Sequence, residues 1–582
     1  MAQEGLQTPP RQDSQSPAGV SYRSGSFSHQ EADLGAGDEN ASGIVFSRNY
    51  DSTIDSTFSQ GLLTQGWSHN FSARVSENKL PSYYAPPVMG QARWIYQVSL
   101  GSKSYGFQAG VGGGFAGKTY TPVVPNGTSL TFTGTEQAGN HTFTDADGTV
   151  AVFGSRQLGL WVQNITSPDG TRLDFIYDST NDLRAVYSNR GFAILFETNG
   201  IDRRWQKICI VNLAYTHVSG VSTCPSGAPS ATYVHTGLLL TAVTKPDGET
   251  TEYSYVGSNH LGCIKLPGNS VCSVSNVYNV CHRDPELTQD PPGLRLMDKV
   301  IQQTLASGEV INYSFPIDPE CPDESAISLQ TRTMTRGDGT TVNVTTGMSG
   351  MPRSVTDGLN RTTTINYVAN PSLFNETVLV SRVTNPEGDY VDFSYDSRGN
   401  LTERRAKPKP GSTLLDIVSS ATYPASCIDS KICNKPTSVT DGLSNTTIYT
   451  YDASHGGVLT KTLPAVGGIH PQVRYSYAQR YTWMKTLSGG YAQAATPIWV
   501  LTEERTCRTT ATVGGACSGG VSDEVVTAYE YQAGNATTPS NLLLKGTTVT
   551  ADGQTLRTCY GHDERGRKIS ETKPAAGLTV CP

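Results

Sequence analysis

Between Val383 and Thr402 the chain reads VTNPEGDYVDFSYDSRGNLT, an alternating stretch held between two turn signals. Asn385-Pro386-Glu387-Gly388 predicts a tight turn, because proline fixes φ at its start and Gly388 takes the positive-φ position. From Asp389 to Tyr395 a period of two puts Val391, Phe393 and Tyr395 on one face and Tyr390, Asp392 and Ser394 on the other. Asp396 to Asn400 then predicts a second turn, in which the Asp396 side chain bonds backbone amides and Gly399 adopts a left-handed conformation. The unit is a β-hairpin. It recurs in fixed register, with the tyrosine seven residues after the turn glycine in Gly170/Tyr177, Gly248/Tyr255, Gly388/Tyr395 and Gly553/Tyr560. Two further copies put Asn360 before Tyr367 and Ser444 before Tyr451 at the same spacing. Hairpins that cannot bury their own apolar face must stack along a continuous sheet, and a long twisted sheet coils. The fold class expected is all-β, with spiralling antiparallel hairpin repeats forming a large coiled sheet or partial hollow cocoon.

Upstream the pattern weakens. Residues 1–42 are rich in Gln, Ser, Gly and Pro and poor in apolar residues, which predicts a disordered leader. Residues 43–140 read as an N-terminal β region preceding the repeats, with Trp67 and Phe71 in a core, and 141–582 as the repeat array. Thr142 to Phe153 reads as a hairpin turning at Asp147-Gly148. The run Gly110 to Gly114 invites a phosphate-loop reading, but Tyr120 to Pro125 cannot form the helix such a loop needs. His69 has no acid or nucleophile within its motif and reads as a strand residue rather than a catalytic one.

Composition sharpens the class. Glycine and proline together number 91 of 582 residues, too turn-rich for long helices. The net charge of −7 comes from 44 basic and 51 acidic residues without long runs of one sign, which argues against nucleic-acid partners. No apolar stretch approaches the roughly 20 residues needed to cross a bilayer as a helix, so membrane insertion is not expected. All twelve cysteines follow residue 208. Close pairs such as Cys427 with Cys433 and Cys507 with Cys517, in polar surroundings, read as disulfide candidates in insertion loops and point to an oxidising compartment. Zinc is disfavoured because no C-x-x-C occurs, and no metal or cofactor is expected.

The dipeptides Tyr177-Asp178, Tyr395-Asp396 and Tyr451-Asp452, each following the turn and strand described, resemble the YD repeats of the bacterial RHS family, shared with the teneurin shell. The segment with Arg48, Tyr50, Gly61, Gly66-Trp67-Ser68-His69-Asn70 and Phe71 is similar to the region preceding those repeats. Tyr255 and Tyr367 lack the following Asp, and the last copy reads Tyr560-Gly561-His562-Asp563. The resemblance implies a strand spiralling into a hollow β-cocoon, which in polymorphic-toxin members encloses a C-terminal effector. Asp290-Pro291-Pro292-Gly293-Leu294 matches the letters of that family's closing self-cleavage motif. It lies mid-chain with repeats after it and lacks the aromatic lead-in, so we read it as a rigid turn.

The expected function is a non-catalytic structural shell or scaffold, secreted or in the cell envelope, the front part of such a shell or a truncated member of the family. Its expected partner is its own C-terminal continuation or effector cargo. The alternative is a binding module that recognises carbohydrate or a cell-surface protein through aromatic strand faces. An enzyme such as a two-carboxylate glycosidase ranks last, because Asp169, Asp247, Glu387 and Asp552 sit where turn chemistry alone would place them.

Overall fold

The computed structural model describes residues 6–9, 15–37, 43–52, 63–79, 94–101, 103–109, 118, 120–135, 138–156, 159–198, 203–257, 259–279, 299–315, 330–347, 351–369 and 379–582. Within them, 36 strands join one antiparallel sheet. From Arg172–Tyr177 to Lys568–Thr572 the sheet is a meander in which successive ladder strands pair. At its start the sheet curls back. Strand Gly159–Thr166 pairs with Ala73–Lys79 through Leu160 and Trp161, and with Arg172–Tyr177 through Asn164 to Thr166. The sheet as a whole stays open, since Lys568–Thr572 pairs only with Gln554–His562.

The sheet coils upon itself. Asn434 donates to the carbonyls of Gly127 and Ala146, 307 and 288 positions away, and Asn212 donates to the Glu564 carbonyl across 352 positions. Thr482 reaches the Asn189 carbonyl and Asn541 those of Arg190 and Gly191. A later coil thus rests on the turn-lined rim of an earlier one. Right-handed strand twist, accumulated over many strands, is the physical source of such a spiral.

Two expectations about domains are corrected. Residues 15–37 of the supposed disordered leader are ordered: Ser28–Ala36 pairs with Ile44–Asp51, which pairs with Trp67–His69. Val20, Phe27 and Leu34 are buried there. Low overall hydropathy hid these residues because they are stabilised by burial against another part of the chain. The boundary at 140 does not separate two domains either. Ala73–Lys79 and the strands after it belong to the main sheet, and the small sheet ends near Phe71.

The small N-terminal sheet lies in the hollow of the early coil. Phe71 meets Phe175, Phe46 meets Phe196, Trp205 and Tyr233, and Trp67 meets Tyr253. Further along the wall, Ser16 hydrogen-bonds Tyr313 and Tyr22 contacts Met334. One compact insert touching strands from Phe175 to Met334 requires that they wrap around it. The main core forms between the two. A separate cluster in the later coil joins Val383, Phe393, Leu401 and Ala421, with Val391 and Tyr395 packed against it, and Leu6 reaches it from the far N-terminus.

Candidate functional site

Each repeat unit contributes a turn, a bulge and a tyrosine. The six register positions Gly170, Gly248, Asn360, Gly388, Ser444 and Gly553 all have positive φ, between 52° and 89° when their turn neighbour Asp552 is included. Seven residues on, Tyr177, Tyr255, Tyr367, Tyr395 and Tyr451 each follow a break in ladder register. A bulge interrupts the ladder and re-aims the side chain beside it. Each of these hydroxyls donates to a carbonyl 15 residues upstream, on Val162, Leu240, Pro352, Val380 and Pro436, at 2.7 to 3.0 Å.

Most of these acceptors lie at the bulge of the preceding hairpin. Tyr367 pairs with Val380, whose carbonyl accepts from Tyr395. Tyr395 pairs with Leu401, whose carbonyl accepts from Tyr423. One hairpin's irregularity is therefore satisfied by the next hairpin's tyrosine, as a buried carbonyl requires. Burial pushes the Tyr395 hydroxyl up to about 12, so it remains a donor. Tyr560 departs, lying near the Thr547 hydroxyl at 3.4 Å.

The aspartates organise the return turns. Asp396 Oδ1 accepts from the amides of Arg398 and Asn400 while Oδ2 accepts from the Asn400 side chain. Asp178 takes the amides of Thr180 and Asp182, and Asp452 that of Ser454. In the divergent last copy, Asp563 takes over the role with the amides of Arg565 and Arg567. Gly399 packs tightly where a Cβ would stand 2.1 Å from the Pro125 carbonyl of the earlier coil.

A denser cluster of chemistry lies where the N-terminal sheet meets the wall. Arg48 is fully buried, donating through Nε to Asp33 at 2.6 Å and through Nη2 to Glu31 at 3.1 Å and Tyr253 at 2.8 Å. Its guanidinium also lies over the rings of Trp67 and Tyr253, at 4.8 and 5.2 Å. From the wall, Tyr233 donates to Asp33, while Tyr253, Thr251 and Lys245 bind Glu31. Burial alone would raise the Glu31 carboxyl, yet contacts with His29, Arg48, Lys245 and Tyr253 outweigh it and hold the group well below the carboxylate range. Asp33 Oδ1 and Arg48 Nη1 have no hydrogen-bond partner among the described residues. The arrangement neutralises charge and joins two parts of the chain.

His69 stands cross-strand from Arg48, between Phe46 and Trp205, with ring centroids 5.8 and 4.8 Å away. Among the described residues neither ring nitrogen has a hydrogen-bond partner, and burial depresses its pKa to about 3. That is a neutral core histidine. Glu31, Asp33 and Tyr233 escaped the sequence reading. The signal was the alternation of His29, Glu31 and Asp33 along one strand, whose inward face is polar rather than apolar.

Cys427–Cys433 and Cys507–Cys517 are bonded, as are Cys209–Cys224, Cys263–Cys272 and Cys559–Cys581. Several of these cysteines lie in strands rather than loops, including Cys209 in Trp205–Asn212 and Cys263 in His260–Lys265. Asp523 approaches Cys507 and Cys517 closely enough for a metal trio. The two sulfurs are bonded to each other, and Asp523 is taken up by the amides and hydroxyls of Thr509 and Thr510. The Asp290 to Leu294 motif and the Gly110 to Gly114 run lie outside the described residues.

The fold and these contacts define a coiled sheet of antiparallel hairpin repeats wrapped around an N-terminal insert. No family model matches the chain, and no curated protein matches it. Among solved structures it is similar to TcdB2-TccC3 without its hypervariable C-terminal region, with a TM-score of 0.34 and 12% identity over 94% of this chain. It is also similar to the Photorhabdus luminescens Tc holotoxin pore, at TM-score 0.33 and 11% identity over 94% of this chain. The chain spans 27% of the length of each. Such values carry no inference about activity or partners.

Proposed function

We propose that the chain is a non-catalytic structural shell, of the kind found in the RHS family, that encloses or presents another polypeptide segment. The observation that supports this best is the stacking of one coil of hairpins on another around an insert held by Arg48. The strongest concentration of charge in the interior, Arg48 with Asp33 and Glu31, is consumed in joining insert to wall. The repeat tyrosines and aspartates are likewise engaged with backbone, as structural roles require. Five disulfides suit a secreted or cell-envelope location. The test is a cryo-EM map of the isolated chain. Two stacked coils around the N-terminal sheet are expected; an extended strip, or an N-terminal segment lying free of the wall, would overturn the reading.

A further inference from the structure

We infer that the junction between the two coils is a reductively released clasp, closed by the Cys427–Cys433 disulfide and reinforced by Cys209–Cys224. The inference rests on the coiled-shell reading. Among the described residues no strand ladder crosses this junction; the coils are joined by side-chain contacts and isolated backbone hydrogen bonds, such as the Trp499 amide on the Asp169 carbonyl. Two disulfide-closed loops supply many of them.

On the later coil, the Cys427–Cys433 loop and the residue that follows it present Lys431 and Asn434 to the earlier one. Asn434 is 7% exposed and donates to the carbonyls of Gly127 and Ala146, at 3.3 and 3.1 Å. Gly127 and Gly148 both have positive φ and seat the loop closely; a Cβ on either would stand 2.7 Å from Asn434 or Lys431. Arg398 braces the loop from its own coil through the carbonyls of Pro424 and Cys433. On the earlier coil, the segment closed by Cys209–Cys224 receives the Lys485 amide on the Leu213 carbonyl at 2.7 Å, and His217 Nδ1 lies 3.0 Å from the Lys485 carbonyl. Met484 packs against the cluster of Ala185, Ala193, Leu195, Cys209, Val211 and Leu213, which Val218, Cys224 and Ala228 also flank.

The other loops provide contrast. Gly268 inside Cys263–Cys272, and Gly514 and Gly515 inside Cys507–Cys517, have nothing within 4 Å of a Cβ position. Gly220 inside Cys209–Cys224 is equally open, so the close seating belongs to the Cys427–Cys433 loop, and the Cys209–Cys224 segment reaches the junction through Leu213 and His217 instead.

Cys427 is exposed whereas Cys433 is 1% exposed, so the accessible sulfur is that of Cys427. A dithiol reductant attacks it as a thiolate, forming a mixed disulfide with Cys427 and releasing Cys433 as a thiolate that takes up a proton. The reductant's second thiolate then displaces Cys427, closing the reductant's own disulfide. Two electrons and two protons have passed to the cystine, leaving two thiols. The freed loop regains conformational entropy, and the side-chain contacts that depended on its shape are lost.

The test uses the full chain with paired Cys→Ser variants at 427/433, at 209/224 and, as control, at 263/272. Hydrogen exchange is read at 126–149 and 482–486, with Phe192–Thr198 as a check on the fold. Exchange at 126–149 is expected to rise by about tenfold or more in the 427/433 variant, and that at 482–486 in the 209/224 variant, with neither rising in the control. Dithiothreitol added to the unmutated protein should reproduce both and expand the particle in small-angle scattering, even if a variant fails to fold. Unchanged exchange across the junction on reduction, or an equal rise in the control, would overturn the inference. An oxidised particle that is already extended would instead remove the shell reading beneath it.

Discussion

Replacing Arg48 with methionine tests whether the buried ion network holds the insert in place. Methionine keeps much of the apolar stem and its contact with Trp67 but removes the charge. Glu31 retains Lys245, Thr251 and Tyr253, whereas among the described residues Asp33 keeps only the Tyr233 hydroxyl. The penalty therefore falls on Asp33, left as a buried carboxylate without a cation. Breaking a buried pair from one side costs about 3–5 kcal/mol. The residual hydrogen bond argues for the lower end, about 3 kcal/mol, or roughly a hundredfold in the local opening equilibrium. Global denaturation is a poor probe for a chain of this size, so the assay is native-state hydrogen exchange of Ser28–Ala36 and Ile44–Asp51. Asp33→Asn combined with Arg48→Met should recover about 1 kcal/mol or more, because the orphan charge is gone. Arg361→Met, at an exposed turn pair with Asp357, should leave both strands unchanged. If Arg48→Met accelerates exchange less than about threefold, or the double variant is worse than the single, the network does not hold the insert by charge compensation.

Lowering the pH should loosen the insert through His69. Its folded pKa of about 3 lies below the ordinary histidine value near 6.5, so the stability it contributes is full above pH 6.5 and is lost as pH falls toward 3. At pH 5 the loss is about 2 kcal/mol, and His69→Phe should flatten exchange-versus-pH curves for the N-terminal sheet by that amount. Tyr395→Phe leaves the Val380 carbonyl without its 2.8 Å donor and should destabilise the local hairpins by about 1 kcal/mol, read by exchange at Val380–Thr384; no change would make the tyrosine a packing residue only. Gly399→Ala and Gly248→Ala share a positive φ, but only the first drives a Cβ into a backbone carbonyl. The Gly248 variant should cost about 1 kcal/mol from backbone strain alone. The Gly399 variant should cost at least twice that and weaken hydrogen-exchange protection near Pro125; protection there no weaker than in the Gly248 variant would argue against tight coil stacking.

The repeat was legible because its information is local. A strand period of two, a residue able to adopt positive φ, and a tyrosine at fixed spacing describe one hairpin, and those signals persist whether or not distant segments touch. The turn role of Asp396 followed from the same chemistry, and the structure adds that its two oxygens take two amides and a side chain. The tyrosine's second role did not follow. A carbonyl 15 residues upstream becomes an acceptor only once a bulge has re-aimed the backbone, and a bulge has no reliable residue signature.

The N-terminal segment shows the opposite case. Its strand SHQEADLGA reads as a polar leader, since composition measures what a segment can bury by itself. Here Asp33 is buried and Glu31 mostly buried against Arg48 and against wall tyrosines some 200 positions away. The sequence alone therefore determined the hairpin, its register and its all-β class, through backbone propensities acting within a few residues. Coiling was expected from the twist of a long sheet; tertiary structure alone decided which rims stack, that side chains and isolated backbone bonds rather than ladders join the coils, and that a charged insert fills the first. These depend on twist summed over dozens of strands and on charges neutralised only when remote segments meet.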